Sequence, residues 1–123
     1  MHRRAIERRG RRSQEHRTAL RFQLESTRER GHISALALTD GNGLLLAWAG
    51  ESVVCEELGA AAPLIARGAP VSLETCTDTD EVSVRAIDYF GEALFLASIG
   101  GGTASEALLA HSARGIQRIL TSN

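Results

Sequence analysis

Residues 33–49, which read ISALALTDGNGLLLAWA, decide the fold. Two apolar runs, 33–39 and 44–49, flank the tetrad Asp40-Gly41-Asn42-Gly43. Because glycine and asparagine accept the positive φ angles of tight turns, the tetrad predicts an antiparallel hairpin. Neither run alternates cleanly between apolar and polar residues, which is typical of strands covered on both faces. The hairpin therefore predicts a sheet sandwiched between helices.

The next segment, residues 52–67 (SVVCEELGAAAPLIAR), predicts a helix that is apolar around most of its girth. A helical wheel gives two apolar stripes about 90° apart, one of Val54, Leu58, Ala61 and Ile65 and one of Val53, Ala60 and Leu64. Such a helix needs cover on more than one side. The sheet supplies one cover, and the small residues suit the close approach of a helix from another subunit. We therefore expect a dimer whose interface contains Leu58, Ala61 and Ala62. Pro63 predicts a kink in this helix, since proline removes a helical hydrogen bond.

The rest of the chain predicts two more helices and three more strands. The first helix begins near Ser13 and ends at Gly31, and its contact stripe consists of Leu20, Leu24 and Thr27. Strands are expected at 71–76, 82–90 and 93–99. Three glycines, 100–102, then lead into a last helix that opens on a capping box of Thr103 and Glu106. The apolar stripe of the last helix consists of Leu109, Ala113, Ile116 and Leu120.

The composition is that of one ordinary soluble domain. The chain has 123 residues, of which 43% are hydrophobic and 4% aromatic. A core built from aliphatic and alanine side chains gains less on burial than an aromatic one, which favours an oligomer. No apolar run approaches the ~20 residues of a membrane span. The N-terminus lacks the apolar core of a secretory signal, so we expect a cytoplasmic protein.

The net charge of −1 conceals an uneven distribution. Residues 1–30 contain ten arginines and four glutamates, a net charge of +6, whereas the remainder contains four arginines and eleven acids, a net charge of −7. Residues 1–12 offer little apolar surface for packing. We therefore expect a basic flexible N-terminal arm at 1–12, followed by a single domain at 13–123.

No set of residues forms a recognisable catalytic, cofactor or metal motif. The cysteines and histidines lack the paired spacing of zinc ligands, and both cysteines are expected to be small core residues. The segment 78–81 (DTDE) lacks the central glycine and the closing glutamate of a calcium loop. Glycines 100–102 lack the lysine of a nucleotide-binding loop, so they predict a turn between sheet and helix.

The hairpin at 33–50, the alanine-rich helix at 52–67, the strands within 82–100 and the closing helix together resemble the roadblock / dynein light chain family. The resemblance is greatest to the bacterial members encoded with Ras-like small GTPases, and it covers residues 15–120. It implies an α/β (α+β), roadblock/profilin-like fold of order α-β-β-α-β-β-β-α, with a five-stranded antiparallel sheet sandwiched between helices. Proteins of this family dimerise through the second helix and the third strand. The interface residues implied here are Leu58, Gly59, Ala61, Ala62, Ile65, Val71 and Leu73.

In this family the paired second helices also form a platform for a small GTPase. The resemblance thus implies a non-catalytic regulatory or scaffold protein that binds a Ras-like small GTPase, as a homodimer or with a roadblock paralogue. The polar residues implied for the platform are Glu56, Glu57 and Arg67. No arginine stands out as a catalytic finger, so neither a catalytic residue nor a cofactor is expected.

Two other classes of function fit the sequence. A profilin-like or PAS-like ligand sensor has a similar architecture and needs an internal pocket. A nucleic-acid-binding protein would use the basic arm, although that arm lacks the interleaved aromatic residues of stacking platforms.

Overall fold

A computed structural model describes residues 2–74, 82–102 and 105–122, with side chains from residue 14 onward. The helices are α1 (His2–Gly31), α2 (Ser52–Ala66) and α3 (Ser105–Thr121). The strands are β1 (Ile33–Thr39), β2 (Leu45–Ala49), β3 (Val82–Tyr89) and β4 (Glu92–Gly100). The mixed α/β class expected from the sequence is confirmed.

The four strands form one antiparallel sheet in the order β2-β1-β4-β3. The predicted hairpin of β1 and β2 is present, and Asp40 organises its turn. The Asp40 carboxylate accepts hydrogen bonds from the backbone N–H groups of Asn42 and Leu44, at 2.9 and 3.0 Å. The Asp40 carbonyl oxygen accepts a third from the Gly43 N–H, at 3.1 Å. The tetrad at residues 40–43 therefore predicted both the hairpin and its position in the chain.

The fifth strand, expected at 71–76, is not confirmed. Residues 71–73 have no regular backbone pairing and Glu74 lies in a turn, while residues 75 and 76 fall outside the described ranges. Leu73 is half-buried and packs against the apolar cluster under α2. Leu73 therefore contributes to the core without backbone pairing in residues 71–73.

The sheet has an apolar cluster on each face, as the lack of alternation in β1 predicted, whereas in β2 Leu46 and Trp48 are exposed. The cluster toward α1 and α3 contains Leu24, Leu36, Leu38, Leu96, Leu109 and Ile116. The cluster toward α2 contains Ala35, Ala37, Cys55, Leu58, Ala62, Phe95, Ala97 and Ile99. Because successive residues of a strand point to opposite faces, β1 must be apolar at nearly every position to serve both clusters.

Helices α1 and α3 pack together on one face of the sheet through the predicted stripes. Leu20, Leu24 and Thr27 of α1 are buried, and the Thr27 hydroxyl donates a hydrogen bond to the Ser112 hydroxyl at 3.0 Å. On α3, the buried residues of the stripe are Leu109, Ala113 and Ile116, and Leu120 is partly buried. The two contact stripes were therefore readable from helical periodicity.

Helix α1 begins at His2 rather than near Ser13. Arginine, glutamate and glutamine have high helix propensity, so a helix once formed extends through them without apolar contacts. The start near Ser13 was predicted from its capping residue type and from the small apolar surface of residues 1–12, and neither reveals this propagation. The independence of the basic arm from the domain stays a prediction.

Glycines 100–102 make the turn between β4 and α3. All three have positive φ angles, of 87°, 93° and 63°. A Cβ at Gly101 would lie 2.8 Å from Cγ1 of Ile33, so the turn also requires a residue without a side chain. The predicted capping residue Thr103, Cys76 and the acidic segment 78–81 lie outside the described residues.

Candidate interaction surface on helix α2

One side of α2 lies against the sheet and contains much of the predicted dimer interface. Leu58 and Ala62 are fully buried within the chain, in the cluster that includes Phe95 and Ile99 of β4. The sheet already covers both side chains within one subunit. Leu58 and Ala62 are therefore core residues of the single chain, and their part in a dimer interface stays a prediction.

Gly59 also faces the sheet, where the hairpin approaches α2 closely. A Cβ at Gly59 would lie 2.9 Å from Cγ2 of Thr39 and 3.2 Å from Cδ1 of Leu45. From the opposite side, a Cβ at Gly43 would lie 3.1 Å from the Ala60 Cα. Gly59 thus allows a close contact between helix and hairpin, rather than the contact between two helices that the sequence suggested.

The other predicted interface residues differ in exposure. Ala61 is 5% exposed, so it too is buried within the chain. Ile65 and Leu73 are half-buried, and Val71 is 36% exposed. Only the last three of the seven predicted interface residues keep surface that another molecule could cover.

The outward side of α2 presents the second apolar stripe, Val53, Ala60 and Leu64. Val53 is 57% exposed, Leu64 is 45% exposed and Ala60 is exposed. Their spacing of seven and four residues places them on one line along the helix. Helical periodicity in the sequence identifies this stripe but not its orientation. The signal that could have decided it is Gly59, because a glycine inside a helix marks the side that approaches other backbone most closely.

Charged residues border this outward stripe. Glu56 and Arg67 are exposed, and Glu57 is half-buried. By helical periodicity Glu56 and Arg67 lie on one side of the stripe and Glu57 lies on the other. The predicted platform residues are therefore brought together around an apolar line, which is the arrangement of an apolar centre with a polar rim.

The C-terminal end of α2 is closed by backbone hydrogen bonds. The Arg67 N–H donates to the Pro63 and Leu64 carbonyl oxygens at 3.3 and 3.1 Å, and the Ala69 N–H donates to the Leu64 oxygen at 3.0 Å. Pro63 is itself buried inside the helix. The kink that it suggested stays a prediction.

Cys55 is a core residue of α2, as expected from the sequence. Its Sγ donates to the carbonyl oxygens of Leu36 and Ala49, at 3.5 and 3.4 Å. Burial raises the pKa of the Cys55 thiol above its ordinary value, because the charged thiolate is poorly solvated there. A thiol held neutral in this way is a poor nucleophile.

We predict that Cys55 resists alkylation by iodoacetamide at pH 8 and that alkaline pH destabilises the fold through it. Above pH ~8.5 the unfolded chain loses the thiol proton while the folded chain keeps it, so the free energy of unfolding falls as the pH rises. Peptide-resolved mass spectrometry and urea titrations at pH 7 to 10 measure both effects, with Cys55→Ala as the control for the second. Rapid labelling of Cys55 in the folded chain would contradict the prediction.

Neither a metal centre nor a membrane span is found among the described residues. Within them, no cluster of three or more histidine, cysteine, aspartate or glutamate side chains could hold a metal ion. In the same part of the chain, no helix combines the length and the hydropathy that a membrane crossing requires.

Comparison with known proteins supports the fold. No protein-family model and no curated protein matches the sequence. The solved structure of Myxococcus xanthus MglB, which has the roadblock fold, is similar to this chain with a TM-score of 0.51 and 14% sequence identity. The match covers 86% of this chain and 92% of that one. At this level of identity the likeness concerns architecture alone. The chain therefore has the roadblock fold, with four strands among its described residues.

Proposed function

We propose that the chain is a dimeric, non-catalytic regulatory or scaffold protein that binds a Ras-like small GTPase and modulates its nucleotide switch. The observation that carries the proposal is the outward apolar stripe of Val53, Ala60 and Leu64 on α2. In the roadblock family, which the sequence resembles, the corresponding helix forms both the dimer interface and the GTPase platform. The likeness to MglB in fold supports the same use of α2 here.

The stripe has the character of a helix-pairing surface. Val53 and Leu64 are large apolar side chains left partly in water, and fully burying such a side chain gains about 1.5–3 kcal/mol. Ala60 lies between them, where a small residue allows a facing helix to come close. In a twofold dimer the same stripe on both subunits would meet itself.

The charged residues that border the stripe suit the recognition of a GTPase. Glu56 and Arg67 are exposed beside the stripe, so they remain at the rim when two helices pair. Charged rims steer a partner and speed its encounter more than they add to affinity. We therefore assign Glu56, Glu57 and Arg67 to GTPase recognition and no residue to catalysis.

We predict that Leu64→Arg gives a monomer that no longer captures a GTPase, because two buried arginines would face each other across the twofold axis. Phe22→Arg is the matched control, since Phe22 is 72% exposed on α1, on the opposite face of the sheet. Glu56→Arg should leave the dimer intact and slow GTPase association, more at low than at high salt.

Light scattering measures whether the protein is a dimer. Kinetic titration measures GTPase capture, and it uses the Ras-like GTPases of the source genome, each loaded with GDP or a GTP analogue. An unchanged dimer in Leu64→Arg would place the interface elsewhere. Failure of every GTPase to bind the wild-type dimer in both nucleotide states would overturn the proposed function.

A further inference from the structure

Strand β2 is an edge of the sheet whose protection is limited to its short length of five residues and to an irregularity at Leu46, where the register with β1 shifts. It pairs with β1 on one side, and no described strand pairs with its other side. Natural edge strands commonly carry charges or proline that discourage further pairing. The opposite edge, β3, has the exposed charged residues Arg85 and Asp88, whereas β2 (LLAWA) has neither a charge nor a proline. The unpaired backbone of β2 is therefore able to receive another strand.

A groove of about 360 Å³ runs between this edge and α1. Residues 46–50 form its floor, and Arg17, Arg21 and Glu25 form its wall. Arg17 and Arg21 are exposed and lie one helical turn apart. Arg28 continues this side of α1 two turns beyond Arg21, where its Nε donates to the Ser34 carbonyl oxygen at 3.3 Å. The wall thus carries two arginines against one glutamate, with Arg28 beyond it on the same side of α1, and this excess of positive charge is complementary to acidic side chains.

The other face of the β2 edge is apolar. Trp48 lies opposite Ala37 of β1, and Ala37 belongs to the cluster toward α2. Paired residues of an antiparallel ladder point to the same face, so Trp48 also points to that face, where it is 44% exposed. A strand added beside β2 would direct alternate side chains to two environments, the arginine wall and the Trp48 ring.

We propose that β2 is the docking site for an extended segment of a partner protein in which acidic and apolar residues alternate. The segment adds to the sheet next to β2, its acidic side chains face Arg17 and Arg21, and its apolar side chains cover Trp48. A second copy of this chain fits the edge less well, because pairing β2 with itself would set two arginine-rich walls side by side. The proposal does not depend on the α2 dimer or on GTPase binding.

A synthetic peptide with blocked ends, Thr-Glu-Val-Glu-Val-Glu-Thr, tests the proposal by titration into the full chain at low salt. Trp48 is the one tryptophan of the sequence, so its emission reports on this edge directly. We expect a saturable change with the acidic peptide and none with the same peptide carrying lysine in place of glutamate. The double variant Arg17→Glu, Arg21→Glu should weaken binding at least ~10-fold.

The matched control is Arg114→Glu, Arg118→Glu, which makes the same charge change at two exposed positions of α3 and should shift the affinity by less than about twofold. Amide hydrogen exchange separates strand addition from simple charge attraction, because an added strand protects those N–H groups of residues 45–49 that point away from β1. The proposal is overturned if the lysine peptide binds equally, if the acidic peptide does not bind, or if bound peptide leaves these amides unprotected. It is also overturned if Trp48 emission changes with protein concentration alone in the Leu64→Arg variant, because a second copy would then occupy the edge without the α2 dimer.

Discussion

Replacing Leu58 with alanine is expected to lower the free energy of unfolding of the isolated subunit by about 2–5 kcal/mol. Leu58 is fully buried between α2 and the sheet, so its truncation removes apolar contacts and leaves a cavity. The loss is a large part of the ~5–15 kcal/mol that stabilises a typical domain. Leu64→Ala, on the exposed side of the same helix, should change the free energy of unfolding by no more than about 0.5 kcal/mol under the same conditions.

Urea denaturation measures the free energy of unfolding of both variants, at a protein concentration where light scattering shows monomers. This condition makes the experiment decisive for the position of Leu58. If Leu58 belonged to a dimer interface, its truncation would have little effect on the monomer and would act only when subunits associate. A monomer that tolerates Leu58→Ala would therefore contradict the buried orientation of this side chain.

Replacing Gly59 with leucine is expected to lower the free energy of unfolding by about 1–3 kcal/mol. Two effects compete at this position. Removing a glycine from a helix interior gains about 1 kcal/mol of helix propensity. The new side chain, however, begins 2.9 Å from Cγ2 of Thr39, a fully buried residue that has no room to move. Because leucine adds three carbons beyond the Cβ, we expect the steric cost to exceed the gain.

Ala66→Leu is the matched control, since Ala66 is exposed near the end of the same helix and should change stability by less than about 0.5 kcal/mol. A double-mutant cycle identifies the contact. Leu45→Ala removes the side chain whose Cδ1 would lie 3.2 Å from a Cβ at Gly59, so it should recover part of the loss in Gly59→Leu. A stabilised Gly59→Leu variant would show that α2 does not approach the hairpin this closely.

The hairpin, the sandwich and the contact stripes of α1 and α3 could be predicted because each follows from a local signal. Asp40 and the glycines after it define a turn within four residues, and the Asp40 carboxylate satisfies two N–H groups of that same turn. Leu20, Leu24 and Thr27 repeat at the helical period, and α1 buries them. The helical start at His2 was missed because the capping residue type and packing surface were considered and propensity was not.

The rotation of α2 about its own axis could not be read from its apolar pattern, and only Gly59 carried a signal for it. The sequence of α2 contains two apolar stripes, and helical periodicity is the same whichever of them faces the sheet. The choice depends on the fit of Gly59 against Thr39 and Leu45, which precede it by 20 and 14 residues. Small residues that suggested a second helix therefore serve the sheet, and Val53, Ala60 and Leu64 face outward.

The other candidate surface could not be predicted from the sequence either, because it also depends on contacts between distant residues. The arginine wall beside β2 joins Arg17 and Arg21 to a strand that lies some 30 residues later, and no local pattern links them. Local patterns were enough to indicate most of the elements and their order, since hydrogen bonding and periodicity act over a few residues. The sides of those elements that are left for partners became known only from the folded chain, since burial depends on contacts between distant parts of the sequence.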